Sequence, residues 1–295
     1  MLRFKPIKIS DKEILDRYIN GDGEFSCESA FINLFVWQES YKNMWAAEEG
    51  QLIIKSGDGT DTVFRLPFGD DFHRGIELIR QYSGEEYPKF WVQDGKRLDE
   101  LEDFLGADYE LCEERDSFDY IYLRENLAEL GGKKYHGKRN HISAFSKQYN
   151  WEYRPITEEN TDDIKQCAEL WYSENSYKSD RHMICEKSGI AEVLDNMELL
   201  GAKGGAIYVN GKAVAFTVGS PINSEVYDIH FEKALKQYDT AYSVINREFA
   251  KNELSAYKYI NREDDMGLEG LRKAKLSYRP DKFIKKYTCI PREKK

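Results

Sequence analysis

The chain has 295 residues, of which 41% are hydrophobic and 14% aromatic, and its formal net charge is −10. This length and composition exclude a disordered chain and predict two domains, each with a hydrophobic core. The acidic balance disfavours general nucleic-acid binding, DNA included, but leaves room for a local basic patch. No apolar run approaches the roughly 18–20 residues that a membrane span needs, so no integral membrane association is expected.

The cysteines and the N-terminal segment predict a cytoplasmic protein. The five cysteines are odd in number and far apart, without a CxxC pair, which is typical of reduced thiols and argues against a structural zinc site. Residues 1–14 lack the apolar centre of a signal peptide. The histidines and cysteines show no metal-ligand spacing, so no metal site is predicted.

The first half of the chain alternates strand and helix patterns. Strand patterns cover residues 2–9, 62–69, 89–94 and 109–123, a hairpin pattern covers 44–56, and helix patterns cover 11–19, 28–41, 72–84 and 97–106.

The second half repeats this order more clearly. Asn210-Gly211 marks a two-residue hairpin turn within residues 204–219. Further strands are predicted at 151–156, 225–234, 257–263 and 282–290, and helices at 164–176, 184–200, 240–254 and 267–277.

The repeated order predicts a duplicated fold. We expect an N-terminal supporting domain over residues 1–127 and a C-terminal domain over 128–295 that carries the active cleft. The alternative is two unrelated α/β domains that share the order by chance. A basic helix over residues 135–149 opens the second copy.

Four motifs resemble a known family. They are SAFINLFVW (29–37), GKRNHISAF (137–145), IHFEKA (229–234) and INREDDMGLEGLRKAKLSYRP (260–280). The chain resembles stand-alone members of the family around the C-terminal domain of phosphatidylglycerol lysyltransferase, which is related to the Fem-type aminoacyltransferases. The resemblance implies an α/β (α+β) fold of two tandem acyl-CoA N-acyltransferase-like domains of the N-acetyltransferase superfamily, each a mixed central sheet flanked by helices.

The basic helix places Lys138 within an apolar stripe, with Arg139 at one edge of it. The stripe consists of Tyr135, Ile142, Phe145 and Tyr149. Lys138 could extend its ammonium to water, pair with an acid of the other domain, or bind a substrate phosphate in the cleft. The resemblance to the Fem type implies that basic residues here lie beside a phosphorylated substrate, which makes Lys138 and Arg139 candidate substrate-binding residues.

The strand 225–234 carries the candidate catalytic residues. A period of two places Asp228, His230 and Glu232 on one face, which is expected where that face lines a cleft. An amine nucleophile must lose a proton, so Glu232 or His230 is the candidate base, with Asp228 third. The alternative is an exposed strand with ordinary polar residues, or a core histidine with its hydrogen bonds satisfied.

The last motif adds further candidates. Asn261 and Arg262 lie at a strand end, where ligands gather in α/β sheets. The resemblance implies that Lys273 and Lys275 face the substrate. Arg272 shares a helix face with Lys275, although basic residues in this last turn also complement the helix dipole.

The expected coenzyme A loop is absent from both copies. Residues 233–244 contain no glycine and place Asp239 at a helix N-terminus, where it would repel a pyrophosphate, and Asp70 and Asp71 occupy the equivalent place in the first copy. No cofactor is firmly implied. Fem-type and lysyltransferase proteins use aminoacyl-tRNA as donor, and acetyl-coenzyme A is the alternative.

The sequence therefore predicts transfer of an acyl or aminoacyl group to an amine or hydroxyl. The expected partners are a charged tRNA or a phosphorylated small molecule. Two alternatives stay open: a coenzyme A-dependent N-acetyltransferase, and a non-catalytic protein that binds a phosphorylated ligand or RNA.

Overall fold

A computed structural model describes residues 2–21, 23–175 and 181–292, which form fourteen strands and twelve α-helices. The strands are β1 (Lys5–Pro6), β2 (Met44–Glu48), β3 (Gln51–Ser56), β4 (Val63–Arg65), β5 (Phe90–Gln93), β6 (Tyr109–Glu113), β7 (Asp119–Leu123), β8 (Trp151–Pro155), β9 (Lys203–Val209), β10 (Lys212–Pro221), β11 (Val226–Ala234), β12 (Tyr259–Asn261), β13 (Lys282–Ile284) and β14 (Lys286–Pro291). The helices are α1 (Lys12–Ile19), α2 (Phe31–Val36), α3 (Gln38–Tyr41), α4 (Phe72–Ser83), α5 (Lys96–Leu105), α6 (Arg124–Glu129), α7 (His136–Gln148), α8 (Thr161–Glu174), α9 (Arg181–Asp195), α10 (Met197–Leu200), α11 (Ala241–Asn252) and α12 (Glu269–Leu276).

The strands form two seven-stranded sheets with the same topology. The first has the order β1-β2-β3-β4-β5-β14-β6, and the second, read in the same direction, β8-β9-β10-β11-β12-β7-β13. The fourth and fifth strands of each sheet, β4–β5 and β11–β12, are parallel, and the other pairs that the structure describes are antiparallel. Matching topology in both halves is the pattern that duplication predicts.

The two sheets exchange their sixth strands. β7 precedes the basic helix in the chain but inserts between β12 and β13 of the second sheet. β14 follows β13 after the single residue Lys285 and inserts between β5 and β6 of the first sheet. The boundary near residue 127 stays a prediction, since the sheets do not separate at one position of the chain.

Two predicted strands are therefore divided. The region 109–123 forms β6 and β7 in different sheets, with a 3-10 turn at Arg115–Ser117 between them. The strand predicted at 282–290 becomes β13 and β14. The chain crosses from one sheet to the other at the single residue Lys285, and so short a crossing needs no turn motif. The residues 282–290 therefore look like one continuous strand in the sequence.

Most other elements lie where their patterns predict them. Asn210 and Gly211 both have positive φ in the β9–β10 turn, as the hairpin motif predicts. The helix patterns at 28–41 and 184–200 each break, at Trp37 and Asn196. The helix predicted at 164–176 ends at Glu174, and Ser176 lies outside the described residues.

A hydrophobic core joins the two halves. Phe31 and Phe35 of α2 share this core with Ile190 of α9 and with Phe216 and Phe231 of the second sheet. A second core on the other face of that sheet packs Tyr227 and Ile229 of β11 against α7 and α11. The second sheet therefore has a face toward the N-terminal half and a face toward its own helices, and β11 contributes to both.

Candidate functional site

A β-bulge at His230 changes the direction of the β11 side chains. Val218 of β10 pairs with Phe231 and Gly219 pairs with Ile229, so His230 is an extra residue in β11. The prediction that Asp228, His230 and Glu232 share one face is therefore wrong. Glu232 lies on the face of α7 and α11, whereas Asp228 lies on the face toward the N-terminal half.

The parallel strands β11 and β12 pair over three residues, and their pairing ends at Asp228–Asn261. Beyond this point side chains bridge the two segments. Glu232 contacts Arg262, and His230 contacts Glu263, each across the gap. The candidate site is therefore this gap, with one cluster of polar groups on each side of the sheet.

The Glu232 cluster consists of Glu232, Arg262, Lys138, Asn246 and Tyr278. Glu232 Oε1 accepts a hydrogen bond from Arg262 Nη2 at 2.6 Å, and Glu232 Oε2 accepts one from Asn246 Nδ2 at 3.2 Å. The centroid of the Tyr278 ring lies 3.7 Å from Lys138 Nζ and 4.7 Å from Arg262 Cζ. Both cations therefore make cation–π contacts with this ring. Arg262 Nη1 is buried and has no hydrogen-bond acceptor among the described residues.

The two candidate residues of the basic helix, Lys138 and Arg139, have different contacts. Lys138 lies close enough to Arg262 and Glu232 for both to act on its pKa, whereas Arg139 Nη1 donates to the carbonyl oxygens of Leu130 and, at 2.8 Å, Gly132. Lys138 is thus the basic residue of this helix that reaches the gap, and Arg139 closes the loop before the helix.

The pH dependence of anion binding is expected to follow Lys138. Burial, assisted by repulsion from Arg262 and opposed by Glu232, lowers the pKa of Lys138 from 10.5 to about 8. The ammonium is therefore present below pH 8 and lost above it, so affinity for an anionic ligand should fall as pH rises through about 8. We expect Lys138→Met to remove this fall in affinity between about pH 7 and 9 when binding of inorganic sulfate, whose charge is constant in that range, is titrated. Lys147→Met, at an exposed position of the same helix, should retain it.

The Asp228 cluster consists of Asp228, His230 and Glu263, on the other side of the sheet. His230 Nδ1 lies 3.1 Å from Glu263 Oε1 and 3.5 Å from Asp228 Oδ2, and its Nε2 lies 2.8 Å from Ser220 Oγ. Burial, with repulsion from Glu263 and other carboxylates, raises the pKa of Asp228 well above its usual range. Asn33 of α2 donates to Glu263 at 3.3 Å, so the N-terminal half contributes directly to this cluster.

The Lys286 cluster joins the exchanged strands. It consists of Lys286 at the start of β14, Asp119 at the start of β7, and Cys27 and Glu28. Lys286 Nζ lies 2.7 Å from Asp119 Oδ1, 2.9 Å from Glu28 Oε1 and 3.3 Å from Cys27 Sγ. Burial disfavours the ammonium, but attraction to these groups overrides it and raises the pKa of Lys286 well above its usual range. Asn261 Nδ2 donates to Asp119 at 3.1 Å and connects the cluster to the end of β12.

A cavity of about 340 Å³ lies between the two halves and is lined by Glu263 of the Asp228 cluster and by Cys27 and Glu28 of the Lys286 cluster. Its walls combine aromatic rings with carboxylates, including Trp37, Tyr41, Trp91, Glu28, Glu263 and Asp264. The cavity is also lined by Arg65, and its volume suits a small organic group.

The basic residues of α12 are placed differently from one another. Arg272 donates to Asp265 at 2.7 and 2.9 Å and to Asp116 at 2.6 Å. Lys275 is buried, and its ammonium donates to the carbonyl oxygens of Arg262 and Asp264. Lys273 is exposed. Lys275 thus holds the backbone of residues 262–264 beside the gap between β11 and β12.

The helix that follows β11 keeps the features that disfavour a pyrophosphate. Helix α11 begins at Ala241 after Thr240, and exposed Asp239 precedes them both. A carboxylate at this end of a helix opposes binding of a second anion there.

Sequence reasoning missed Asn246 and Tyr278 and gave Glu263 no role in a site. Tyr278 lies in the motif LSYRP, which was a usable signal. Asn246 lies in the middle of α11 without a motif, and only its contact with Glu232 identifies it. The role of Glu263 depends on its backbone, which has φ of 53° and turns the side chain toward His230.

Solved structures show the same fold. The crystal structure of a conserved protein of unknown function from Bacteroides thetaiotaomicron VPI-5482 matches with a TM-score of 0.91 and 35% identity, covering 99% of this chain and 100% of that one. The L-PGS structure from Bacillus licheniformis matches at 0.67 with 14% identity, covering 99% and 94%. FemX matches at 0.57 with 7% identity, covering 96% of each chain. These likenesses confirm the predicted fold of two tandem acyltransferase-type domains.

A curated relative matches part of the chain. Uncharacterized protein MYCGA3080 from Mycoplasmoides gallisepticum is 26% identical over 178 residues, which are 58% of this chain and 55% of that protein. The match thus spans about half the length of that relative.

The family model described as "Phosphatidylglycerol lysyltransferase, C-terminal" matches residues 23–290. Among the described residues, none of the helices combines the length and hydropathy that crossing a bilayer requires. The fold is that of an aminoacyl or acyl transferase, and the chain belongs to the family of the phosphatidylglycerol lysyltransferase C-terminal domain, as its motifs predicted.

Proposed function

We propose that the protein transfers an aminoacyl group from a charged tRNA to an amine or hydroxyl acceptor. The observation that carries the proposal is Arg262 at the gap between β11 and β12. Its Nη2 is fixed by Glu232, while its buried Nη1 lacks an acceptor in the described part of the chain. With Lys138 beside it on Tyr278, this group is arranged to receive an anionic atom of a substrate.

In the transfer step the acceptor nitrogen or oxygen attacks the ester carbonyl carbon of the aminoacyl-tRNA. The bond from that carbon to the ribose oxygen breaks, and the terminal hydroxyl of the tRNA leaves with the proton that the acceptor loses. Arg262 and Lys138 stabilise the negative charge that develops on the carbonyl oxygen or is carried by the adjacent phosphate.

We assign Glu232 to positioning Arg262. The sequence made Glu232, His230 or Asp228 the candidate base. His230 and Asp228 lie in the cluster on the other side of the sheet. Both oxygens of Glu232 are engaged by Arg262 and Asn246. A carboxylate held in this way fixes the guanidinium in one orientation.

One observation favours an aminoacyl group over an acetyl group. Asp239 before α11 opposes the pyrophosphate of coenzyme A.

The test compares the two donors. We expect labelled amino acid to move from a mixture of charged tRNAs into a soluble or lipid product of a bacterial extract. Millimolar acetyl-coenzyme A should leave the melting temperature unchanged. Glu232→Gln should lower the transfer rate and leave tRNA affinity nearly unchanged.

Two outcomes would contradict the proposal. A rise of several degrees with acetyl-coenzyme A would favour an N-acetyltransferase. Tight binding of uncharged tRNA without turnover of any charged tRNA would favour a protein that only binds RNA.

A further inference from the structure

Asp228 has a buried carboxylate that accepts no hydrogen bond from the described residues. Its side chain is 0% exposed, and neither oxygen has a hydrogen-bond partner within residues 2–21, 23–175 and 181–292. The nearest basic atom is His230 Nδ1, 3.5 Å from Asp228 Oδ2. A buried carboxylate in this situation requires a proton or a cation as its partner.

The donor atoms around Asp228 have the spacing of metal ligands. One carboxylate oxygen each of Asp228 and Glu263, together with a ring nitrogen of His230, lie within 4.8 Å of one another. Ligands that each lie about 2.0–2.2 Å from one ion are themselves about 3–4 Å apart. The separations from His230 Nδ1, 3.1 Å to Glu263 and 3.5 Å to Asp228, agree with that spacing.

Ser220 orients the imidazole for such a role. Its buried hydroxyl on β10 lies 2.8 Å from His230 Nε2. When Ser220 accepts the Nε2 proton, the lone pair of Nδ1 faces the two carboxylates. Metal-binding histidines commonly hold their second ring nitrogen in this way. In that tautomer three electron-pair donors face one another, and they repel unless a cation lies between them.

The surrounding charges also favour a cation. Three carboxylates, Glu263, Asp119 and Glu28, act on Asp228, and the Lys286 ammonium opposes them. The same charges explain why Cys27, Glu28 and Asp119, whose donor atoms are equally close, are a poorer site. Lys286 Nζ already lies 2.7 Å from Asp119 and 2.9 Å from Glu28 and would repel an ion there.

The backbone conformation of Glu263 also supports a role of its side chain in binding a ligand. Glu263 has φ of 53°, a left-handed conformation that residues other than glycine seldom adopt. Its amide donates to Asn261 Oδ1 at 2.6 Å, and this bond holds the strained turn. Such strain concentrates at sites where a side chain must be aimed at a ligand.

We propose that Asp228, His230 and Glu263 bind one divalent transition-metal ion. A set of one imidazole and two carboxylates suits Zn²⁺ or Mn²⁺, whereas Mg²⁺ and Ca²⁺ prefer oxygen ligands throughout. Glu263 also lines the cavity of about 340 Å³, so one of the three ligands borders that cavity. This proposal does not depend on the transfer reaction, because its evidence is the donor geometry, the buried Asp228 carboxylate and the surrounding charges.

The test uses the full chain after dialysis against a chelator. We expect calorimetry with ZnCl₂ or MnCl₂ to give about one ion per chain and the bound ion to raise the melting temperature by several degrees. Asp228→Asn should abolish both effects. Ser220→Ala should weaken binding by about 10–100-fold, since it removes the group that orients His230.

Two control variants distinguish binding at this site from binding elsewhere on the chain. Asp163→Asn removes a carboxylate that bonds Tyr208, and Cys27→Ser alters the neighbouring cluster, so both should retain the metal effects. If Asp228→Asn does not fold, Glu263→Gln provides the same measurement. Absence of binding by the unaltered chain at millimolar metal, or equal binding by Asp228→Asn, would show that protons compensate the carboxylates instead.

Discussion

Lys286→Met is expected to lower the free energy of unfolding by about 3–5 kcal/mol. Lys286 is 0% exposed and pairs with Asp119, also 0% exposed, and with Glu28. Methionine fills a similar volume but removes the ammonium from both carboxylates, which leaves Asp119 without its ion-pair partner and Glu28 with the attraction of Arg65 alone. Removal of one partner of a buried pair costs far more than removal of a surface charge, because the other partner keeps its desolvation penalty.

Urea denaturation at pH 7 measures this loss, and the adjacent residue supplies a matched control. Lys285 lies 3.5 Å from Glu113, but both side chains are about half exposed, at 48% and 47%. Lys285→Met should therefore change stability by less than about 1 kcal/mol. Equal effects of the two substitutions would mean that the Lys286 cluster is hydrated or protonated and that its ion pairs contribute little.

Arg262→Lys is expected to reduce kcat/KM for aminoacyl transfer by about 100-fold. The substitution keeps the positive charge but replaces a planar fork with a single ammonium. Arg262 now bonds Glu232 through Nη2 at 2.6 Å and keeps Nη1 for another partner, and one ammonium cannot take both positions. The loss should appear in kcat more than in KM if the free nitrogen meets charge that develops in the transition state.

The measurement is the initial rate of label transfer from charged tRNA. Lys251→Gln, at an exposed position near the end of α11, tests whether loss of any nearby cation has the same effect, and it should leave the rate within about twofold. An unchanged rate in Arg262→Lys would show that charge alone suffices and would remove the guanidinium geometry from the mechanism.

The sequence predicted the features that depend on local patterns. The hairpin at Asn210-Gly211 follows from residues that accept positive φ, and the position of Lys138 within an apolar stripe follows from helical periodicity. The stripe itself is buried at Tyr135, Ile142 and Phe145. These predictions needed no knowledge of distant partners.

Features that depend on strand pairing were not predictable in this way. The bulge at His230 arises from the register between β10 and β11, and a single inserted residue moves every later side chain to the other face. The pattern Ile284-Lys285-Lys286-Tyr287 likewise gives no sign that one lysine is exposed and the next is fully buried. That difference depends on the crossing from one sheet to the other.

The exchange of β7 and β14 has a consequence for biosynthesis. The first sheet lacks its sixth strand until residues 286–291 have been synthesised, although its other strands are complete by residue 113. A nascent chain therefore exposes the facing edges of β5 and β6 from residue 113 until β14 has been synthesised, and the pairing of β14 with β5 joins residues almost 200 positions apart. Ribosome-bound chains arrested before residue 286 should be sensitive to proteases in the first half, because its sheet lacks β14 between β5 and β6.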